Sequence, residues 1–168
     1  MAHAILSYTT LVLGEWEAGI AEGRTALALN PNSAFVMGML GFALGWGGYR
    51  DEAVDQLRRA MRASPHDPLT WAWTHWVGIF QFFSRDFEAA LEAQRQVVRL
   101  RPGFPNAYEY IAGCLAYLGR LGEAREVLES ARAQFPEALR LNRQRPWERP
   151  EDYALRMEGI RLAAEETA

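Results

Sequence analysis

The chain has 168 residues, of which 49% are hydrophobic and 23% are charged, a balance typical of globular proteins. Its net charge of -3 argues against a general nucleic-acid binder, because such proteins carry a clear basic excess. The single cysteine, Cys114, excludes an intramolecular disulfide bond and a zinc site built from several cysteines. No run of about 20 apolar residues occurs and no signal-peptide pattern opens the chain, so we expect a cytoplasmic protein that does not bind membranes.

The first predicted unit, residues 1–33, consists of two short helices. Its apolar, small and turn residues recur at helical spacing; they are Leu6, Thr10, Gly14, Ala26 and Pro31. Gly19 and Gly23, inside the second helix, cost about 1 kcal/mol each relative to alanine, so we expect this unit to be the loosest. The first helix is apolar on more than one face. We expect this end to pack against another chain or against residues that precede Met1.

The second unit, residues 34–67, has the clearest pattern. Met37, Leu40, Gly41 and Leu44 form one stripe, Gly48 and Tyr49 follow a turn, and Ala53, Leu57 and Ala60 form a second stripe before Pro65. Spacings of three and four residues predict two helices packed as a hairpin. The small residues let the helix axes approach closely, and the proline ends the second helix.

Two further units follow, at residues 68–104 and 105–138. The prolines that end the units, Pro31, Pro65, Pro102 and Pro136, are 34, 37 and 34 residues apart. The third unit therefore contains a three-residue insertion, which fits in the proline-rich turn before it. Gln81 and Gln94 occupy positions of this unit that are usually apolar. A near-constant period of this length predicts stacked helix hairpins.

These units resemble the tetratricopeptide repeat (TPR). The large, small and proline positions of that repeat are matched by Leu40, Gly41, Leu44, Ala53, Leu57, Ala60 and Pro65. The resemblance implies an all-α fold, an α-solenoid of about four TPR helix hairpins over residues 1–138. It also implies a protein-binding module without enzymatic activity.

The C-terminal part of the chain departs from the repeat. Prolines and arginines in residues 139–150 predict an irregular connector, and Pro150 with the acidic residues after it predicts a C-terminal capping helix over residues 151–168. The stretch RPEDYALRMEGIRLA, with the earlier SPHDP turn, resembles the C-terminal TPR regions of bacterial class III adenylate cyclase-type signalling proteins. That resemblance implies a bacterial signalling or regulatory system. No cyclase motif is present, so no catalytic activity follows.

The TPR resemblance also implies a concave groove lined by the first helix of each hairpin. Residues at the groove positions are largely aromatic, which suits a peptide or an amphipathic helix as the partner. The predicted partner-binding residues are Tyr8, Phe35, Phe42, Trp46, His75, Ile79, Phe82, Phe83, Glu109 and Tyr117, with Leu11, Val12 and Asn106 beside them. An exposed apolar surface of this size usually marks a binding site.

Other roles for this aromatic surface stay open at this point. The chain's own C-terminal helix could cover it, a second copy could bury it in a homodimer, or an apolar small molecule could bind there. One familiar TPR mode is excluded, because chaperone-binding TPR domains hold a peptide carboxylate with lysine, asparagine and arginine. The corresponding positions here hold Ala4, Tyr8, Gly38, Phe42, His75 and Ile79.

Catalytic and cofactor sites find little support in the sequence. The three histidines, His3, His66 and His75, lie in different units without a second ligand at metal-binding spacing. The glycines between positions 41 and 48 follow no strand and precede no lysine, so they do not form a nucleotide loop. We therefore expect no enzyme, no cofactor and no metal. The arginine cluster, Arg140, Arg143, Arg145 and Arg149, is expected to be solvated, the alternative being contact with a phosphate or an acidic partner.

Overall fold

Apolar residues at helical spacing produce helices along the whole protein. The computed structural model describes residues 2–140 and 144–165, without the side chain of residue 140. Within these ranges there are ten helices and no strand: α1 (Ala2–Val12), α2 (Trp16–Leu29), α3 (Ala34–Trp46), α4 (Arg50–Ala63), α5 (Thr70–Phe83), α6 (Phe87–Leu100), α7 (Pro105–Tyr117), α8 (Leu121–Gln134), α9 (Pro136–Arg140) and α10 (Pro150–Ala164). The predicted all-α fold is confirmed.

Consecutive helices pair as hairpins, and the hairpins stack in chain order. α1 packs with α2, α3 with α4, α5 with α6 and α7 with α8, while each first helix from α3 onward also contacts the hairpin before it. α3 is apolar along its length and is buried from Val36 to Trp46. α4 buries one narrow stripe and carries charged residues elsewhere. The first helices therefore form the interior of the array, and the second helices face solvent.

The turn inside each hairpin has the same backbone conformation. Gly14, Gly48 and Gly119 have φ values of 84°, 97° and 76°, and Arg85 has a φ of 64° at the matching position of the third unit. These four positions are 34, 37 and 34 residues apart, which repeats the spacing of the prolines. Glycine adopts this conformation without the cost that a Cβ atom brings, so Arg85 is the strained member of the set.

The C-terminal helix caps the stack. α10 packs along α7 and α8, and it approaches so closely that a Cβ atom on Gly159 would lie 3.1 Å from the Cα atom of Gly113. Its buried residues are Asp152, Arg156, Gly159, Ile160 and Ala163. α10 therefore occupies the place of a further first helix, with two charged residues on its packed face.

Candidate interaction surface

Each first helix presents three positions, spaced three and four residues apart, to one side of the array. They are Ile5, Tyr8 and Val12 in α1; Met39, Phe42 and Trp46 in α3; Trp76, Ile79 and Phe83 in α5; and Tyr110, Gly113 and Tyr117 in α7. We call this side the inner surface. Rings from successive helices meet along it, as in the pairs Tyr8–Phe42, Phe42–Trp76, Trp46–Phe83 and Phe83–Tyr110.

Most residues predicted to bind a partner lie inside the protein. Seven of them have an exposed fraction of 6% or less: Phe42, Trp46, His75, Ile79, Phe82, Phe83 and Glu109. Phe35, Asn106 and Tyr117 are partly buried, and Tyr8 is 44% exposed. The sequence placed these side chains in an open groove, whereas the structure covers nearly all of them.

The close approach of neighbouring first helices is one physical reason for this burial. A Cβ atom on Gly38 would lie 2.6 Å from the Trp73 ring, and one on Gly45 would overlap the Phe80 ring. At such short separation the aromatic side chains pack against each other. The centroids of Phe42 and Trp76, for example, are 4.2 Å apart, so these two rings are in direct contact.

A segment of the chain itself also packs against the core. Residues 144–149, which we call the strap, lie against the turns of the first two hairpins, beside Gly14, Trp16 and Gly47. The Trp147 side chain is packed against the core, and its carbonyl oxygen accepts a hydrogen bond of 3.1 Å from the indole of Trp16. Arg149 lies over the Trp16 ring and donates to the carbonyl oxygen of Gly47 at 3.2 Å. The strap therefore connects the C-terminal part of the protein to the first two hairpins.

A buried ion pair holds the strap to α10. Glu148 and Arg156 are each 2% exposed, and the guanidinium donates from Nε and Nη2 to the two carboxylate oxygens at 2.8 and 2.9 Å. This two-point geometry is the strongest form of an arginine–carboxylate contact. Glu109 of α7 lies 4.0 Å from the same guanidinium. Burial raises the pKa of Glu109, and the charge of Arg156 opposes that shift.

Arginines also meet the C-terminal ends of two first helices. Arg50 donates to the carbonyl oxygen of Phe83 at 2.8 Å and pairs with Asp152 at the start of α10. Arg149 reaches the end of α3 at Gly47. Cations are favourable there because the helix dipole is negative at that end. Burial raises the pKa of Asp152 to about 6, against the opposing effect of Arg50.

His75, expected to face the groove, is instead part of a buried pair. Its Nδ1 atom lies 2.8 Å from Oε1 of Gln94, and the Gln94 amide donates to the His75 carbonyl oxygen at 3.1 Å. Gln94 stands at a position that is usually apolar, and this pair explains its presence. Burial lowers the pKa of His75 to about 4, Gln94 opposes the shift and Arg145 adds to it. His75 is therefore a neutral packing residue at pH 7.

The residues that hold the strap were not identified from the sequence. Arg145 and Arg149 of the predicted arginine cluster belong to it, while Arg143 and the side chain of Arg140 lie outside the described residues. One signal was available: Asp152 and Arg156 are four residues apart, so they share a helix face with the apolar Ile160. Charged residues on an otherwise apolar face indicate buried partners.

Cys114 lies fully buried in α7, as expected for a small apolar residue. Burial raises the pKa of its thiol. Among residues 2–140 and 144–165, no three histidine, cysteine, aspartate or glutamate side chains come together as a metal site would require. Over the same ranges, every helix is too short or too polar to cross a membrane.

Comparison with known proteins relates the fold, rather than the sequence, to other proteins. No family model matches the chain, and no curated protein matches it. Solved structures do match. A structure of MamA superposes with a TM-score of 0.69 at 20% identity, over 84% of this chain and 76% of that one.

Two other structures extend the likeness. A putative kinesin light chain from Podospora anserina with TPR-like repeats matches with a TM-score of 0.71 at 17% identity, over 96% of this chain and 83% of that one. The anaphase-promoting complex assembly Cut9–Hcn1 matches with a TM-score of 0.75 at 15% identity, over 94% of this chain and 29% of that one. Identities this low establish the fold alone. The chain is therefore a TPR-like helical solenoid, with four hairpins and a capping helix.

Proposed function

We propose that this protein is a non-enzymatic interaction module whose inner surface binds an extended protein segment. The observation that carries the proposal is the strap. Its residues lie against the first two hairpins and α10 as a bound peptide would, with one tryptophan against the core, one backbone carbonyl bonded to the array and one buried carboxylate.

The contacts of the strap define the chemistry of a partner. The core beneath Trp147 accepts a large aromatic side chain, and aromatic anchors supply much of the affinity in protein interfaces. Arg156 binds a carboxylate at the next position. The Trp16 indole donates to a carbonyl oxygen of the segment. The carbonyl oxygen at the end of α3 accepts from a guanidinium. A partner segment with an aromatic, an acidic and a basic residue in succession, like Trp147, Glu148 and Arg149, matches all three features.

The strap also sets the affinity that a partner must reach. A tethered segment acts at an effective concentration of roughly millimolar when its tether is short and flexible. A free peptide with the same contacts must therefore compete with the strap, and only a tighter partner displaces it. Six of the predicted groove residues belong to the inner surface on which such a segment would lie, and the buried ones would contribute through packing: Tyr8, Phe42, Trp46, Ile79, Phe83 and Tyr117.

A peptide-binding experiment tests this proposal. The probe is a fluorescent peptide with the sequence of residues 144–150, QRPWERP, and the proteins are the full chain and its Trp147→Ala variant. Because the variant loosens the strap, we expect it to bind the peptide at least about fivefold more tightly than the unaltered chain. Fluorescence anisotropy measures both dissociation constants.

Two controls sharpen the comparison. Trp71→Ala removes a partly buried tryptophan that packs on Phe104 and Arg101, away from the strap, and should leave peptide binding as in the unaltered chain. A peptide with alanine in place of its tryptophan should bind more weakly. Equal binding by all three proteins, or no binding by any of them, contradicts the proposal.

The setting of this function is part of the same proposal. The resemblance of the C-terminal stretch to bacterial adenylate cyclase-type proteins supports a role in a bacterial signalling or regulatory system, in the cytoplasm, with a protein as the partner. Self-association is a second candidate. It is favoured by a separate observation, the exposed apolar end formed by α1 and α2.

A further inference from the structure

The first hairpin carries an unusually apolar outward face. Leu6 is 45% exposed and Leu13 is 74% exposed. α1 contains no aspartate, glutamate, arginine or lysine. The ionisable groups beside this face, His3 and Glu22, are paired with each other at 2.6 Å. The face therefore offers apolar contact and no unpaired charge from these two groups.

The repeat shows what this face is shaped to contact. Ala2, Leu6 and Thr9 of α1 correspond, by the spacing of the turns, to Val36, Leu40 and Ala43 in α3, to Trp73, Val77 and Phe80 in α5, and to Ala107, Ile111 and Cys114 in α7. All nine residues of α3, α5 and α7 are buried, with 6% exposure or less. In α1, by contrast, all three are exposed.

Contacts inside the array show that side chains at these positions face the preceding hairpin. A side-chain atom of Leu40 lies 3.0 Å from where a Cβ atom of Gly23 would be, in the hairpin before it. Trp73 and Phe80 likewise press on Gly38 and Gly45 of the preceding first helix. On the second helix, Ala18 corresponds to Glu52, which pairs backward with Arg24. The outward face of α1 and α2 therefore has the positions of a stacking face, and these positions are exposed among the described residues.

The other end of the array differs. α10 points Glu151, Glu158 and Arg161 outward, and Arg161 pairs with Glu158 at 2.6 Å. A charged cap of this kind ends a solenoid in water. Among the described residues, none of the exposed large apolar side chains lies on α10, so head-to-tail stacking of copies is unfavourable. The same apolar face on a second copy is complementary, and two-fold pairing closes the assembly at two subunits.

We infer that a second copy of this chain docks on the face formed by Ala2, Leu6, Thr9 and Leu13, giving a head-to-head dimer through α1 and α2. Two helices about 20 Å long and about 20 Å across together offer a face of about 400 Å². Stable interfaces remove roughly 800 Å² from each partner, so the dimer is weak and depends on concentration. This inference goes beyond the inner surface and does not depend on the strap.

Sedimentation velocity of the full chain tests the inference, from about 1 to about 500 micromolar. We expect the mean mass to rise from monomer to dimer over this range. Leu6→Glu should weaken the dimer at least about tenfold, because it places a charge in an apolar contact. The matched control is Leu100→Glu, since Leu100 of α6 is a leucine of similar exposure, 52%, outside this face. It should dimerise as the unaltered chain does.

Thr9→Glu gives a second, independent test, because Thr9 is exposed on the same face. This substitution adds a charge without removing a large apolar side chain. Circular dichroism at each concentration verifies that both variants keep their helices. A monomer at all concentrations overturns the inference, as does a dimer that Leu6→Glu and Thr9→Glu leave intact. Equal weakening by Leu100→Glu also overturns it, because the interface would then lie elsewhere.

Discussion

Single buried polar side chains hold the strap and α10 in place. Glu148 accepts two hydrogen bonds from Arg156 in a site that excludes water. Replacing Glu148 with alanine leaves a buried guanidinium without that carboxylate, and breaking such a pair costs about 3 to 5 kcal/mol. Urea denaturation measures the loss. Glu92→Ala, which breaks the exposed pair with Arg99, is the control and should change stability little. A similar effect of the two substitutions would contradict the burial of Glu148.

The protonation of His75 is a second property set at the scale of one residue. Its folded-state pKa of about 4 lies below the ordinary value of 6.5 for histidine because of burial, so the native protein binds fewer protons than the unfolded chain between these values. The stability from neutral His75 is present above pH 6.5 and is lost as the pH falls to 4, by about 3 kcal/mol in total. The contribution of Asp152 to the pH dependence of stability has the opposite sign, because burial raises the pKa of its carboxyl group to about 6. NMR titration of the His75 imidazole therefore separates the two; protonation near pH 6.5 would show that the ring is solvated.

At the scale of the element, the packing of α3 against α5 depends on glycine. A Cβ atom on Gly45 would overlap the Phe80 ring, which is fully buried and has no room to move. We expect Gly45→Ala to destabilise the protein by about 1 to 3 kcal/mol. Gly122→Ala is the matched control in α8, because nothing lies within 4 Å of its Cβ position. It should be neutral or stabilising by up to about 1 kcal/mol. Thermal denaturation distinguishes the two, and a harmless Gly45→Ala would mean that the helices are farther apart.

Two opposite substitutions, one to glycine and one from glycine, test the shared backbone conformation of the hairpin turns. Arg85 occupies the left-handed conformation with a φ of 64°, where the other three units have glycine. Arg85→Gly should stabilise the protein by about 1 kcal/mol by removing this strain, and Gly119→Ala should destabilise it by a similar amount. Nothing lies within 4 Å of a Cβ atom on Gly119, so the backbone conformation alone decides the effect. Chemical denaturation gives both signs; the same sign for both variants would contradict a shared turn geometry.

At the scale of the whole molecule, the sequence predicts the array well and the inner surface poorly. The repeat period can be recognised because each unit has similar contacts between residues close in sequence, such as Gly41 with Leu57 within one hairpin. The burial of Phe42 depends on Trp76, 34 residues away in the next unit, and on how closely the helices stack. The strap has no period at all, and its contact between Trp16 and Trp147 joins residues 131 positions apart. Local spacing contains no information about such a pair.

The strap is the central claim, and the indole proton of Trp16 tests it most directly. In this structure that proton is donated to the carbonyl oxygen of Trp147, beneath the guanidinium of Arg149. We predict slow hydrogen exchange for this indole in the full chain, with nuclear Overhauser contacts to protons of Trp147 and Arg149; Trp16→Phe assigns the signal. Fast exchange with contacts only inside α2 would show that the strap does not lie against the first hairpin and would contradict this account.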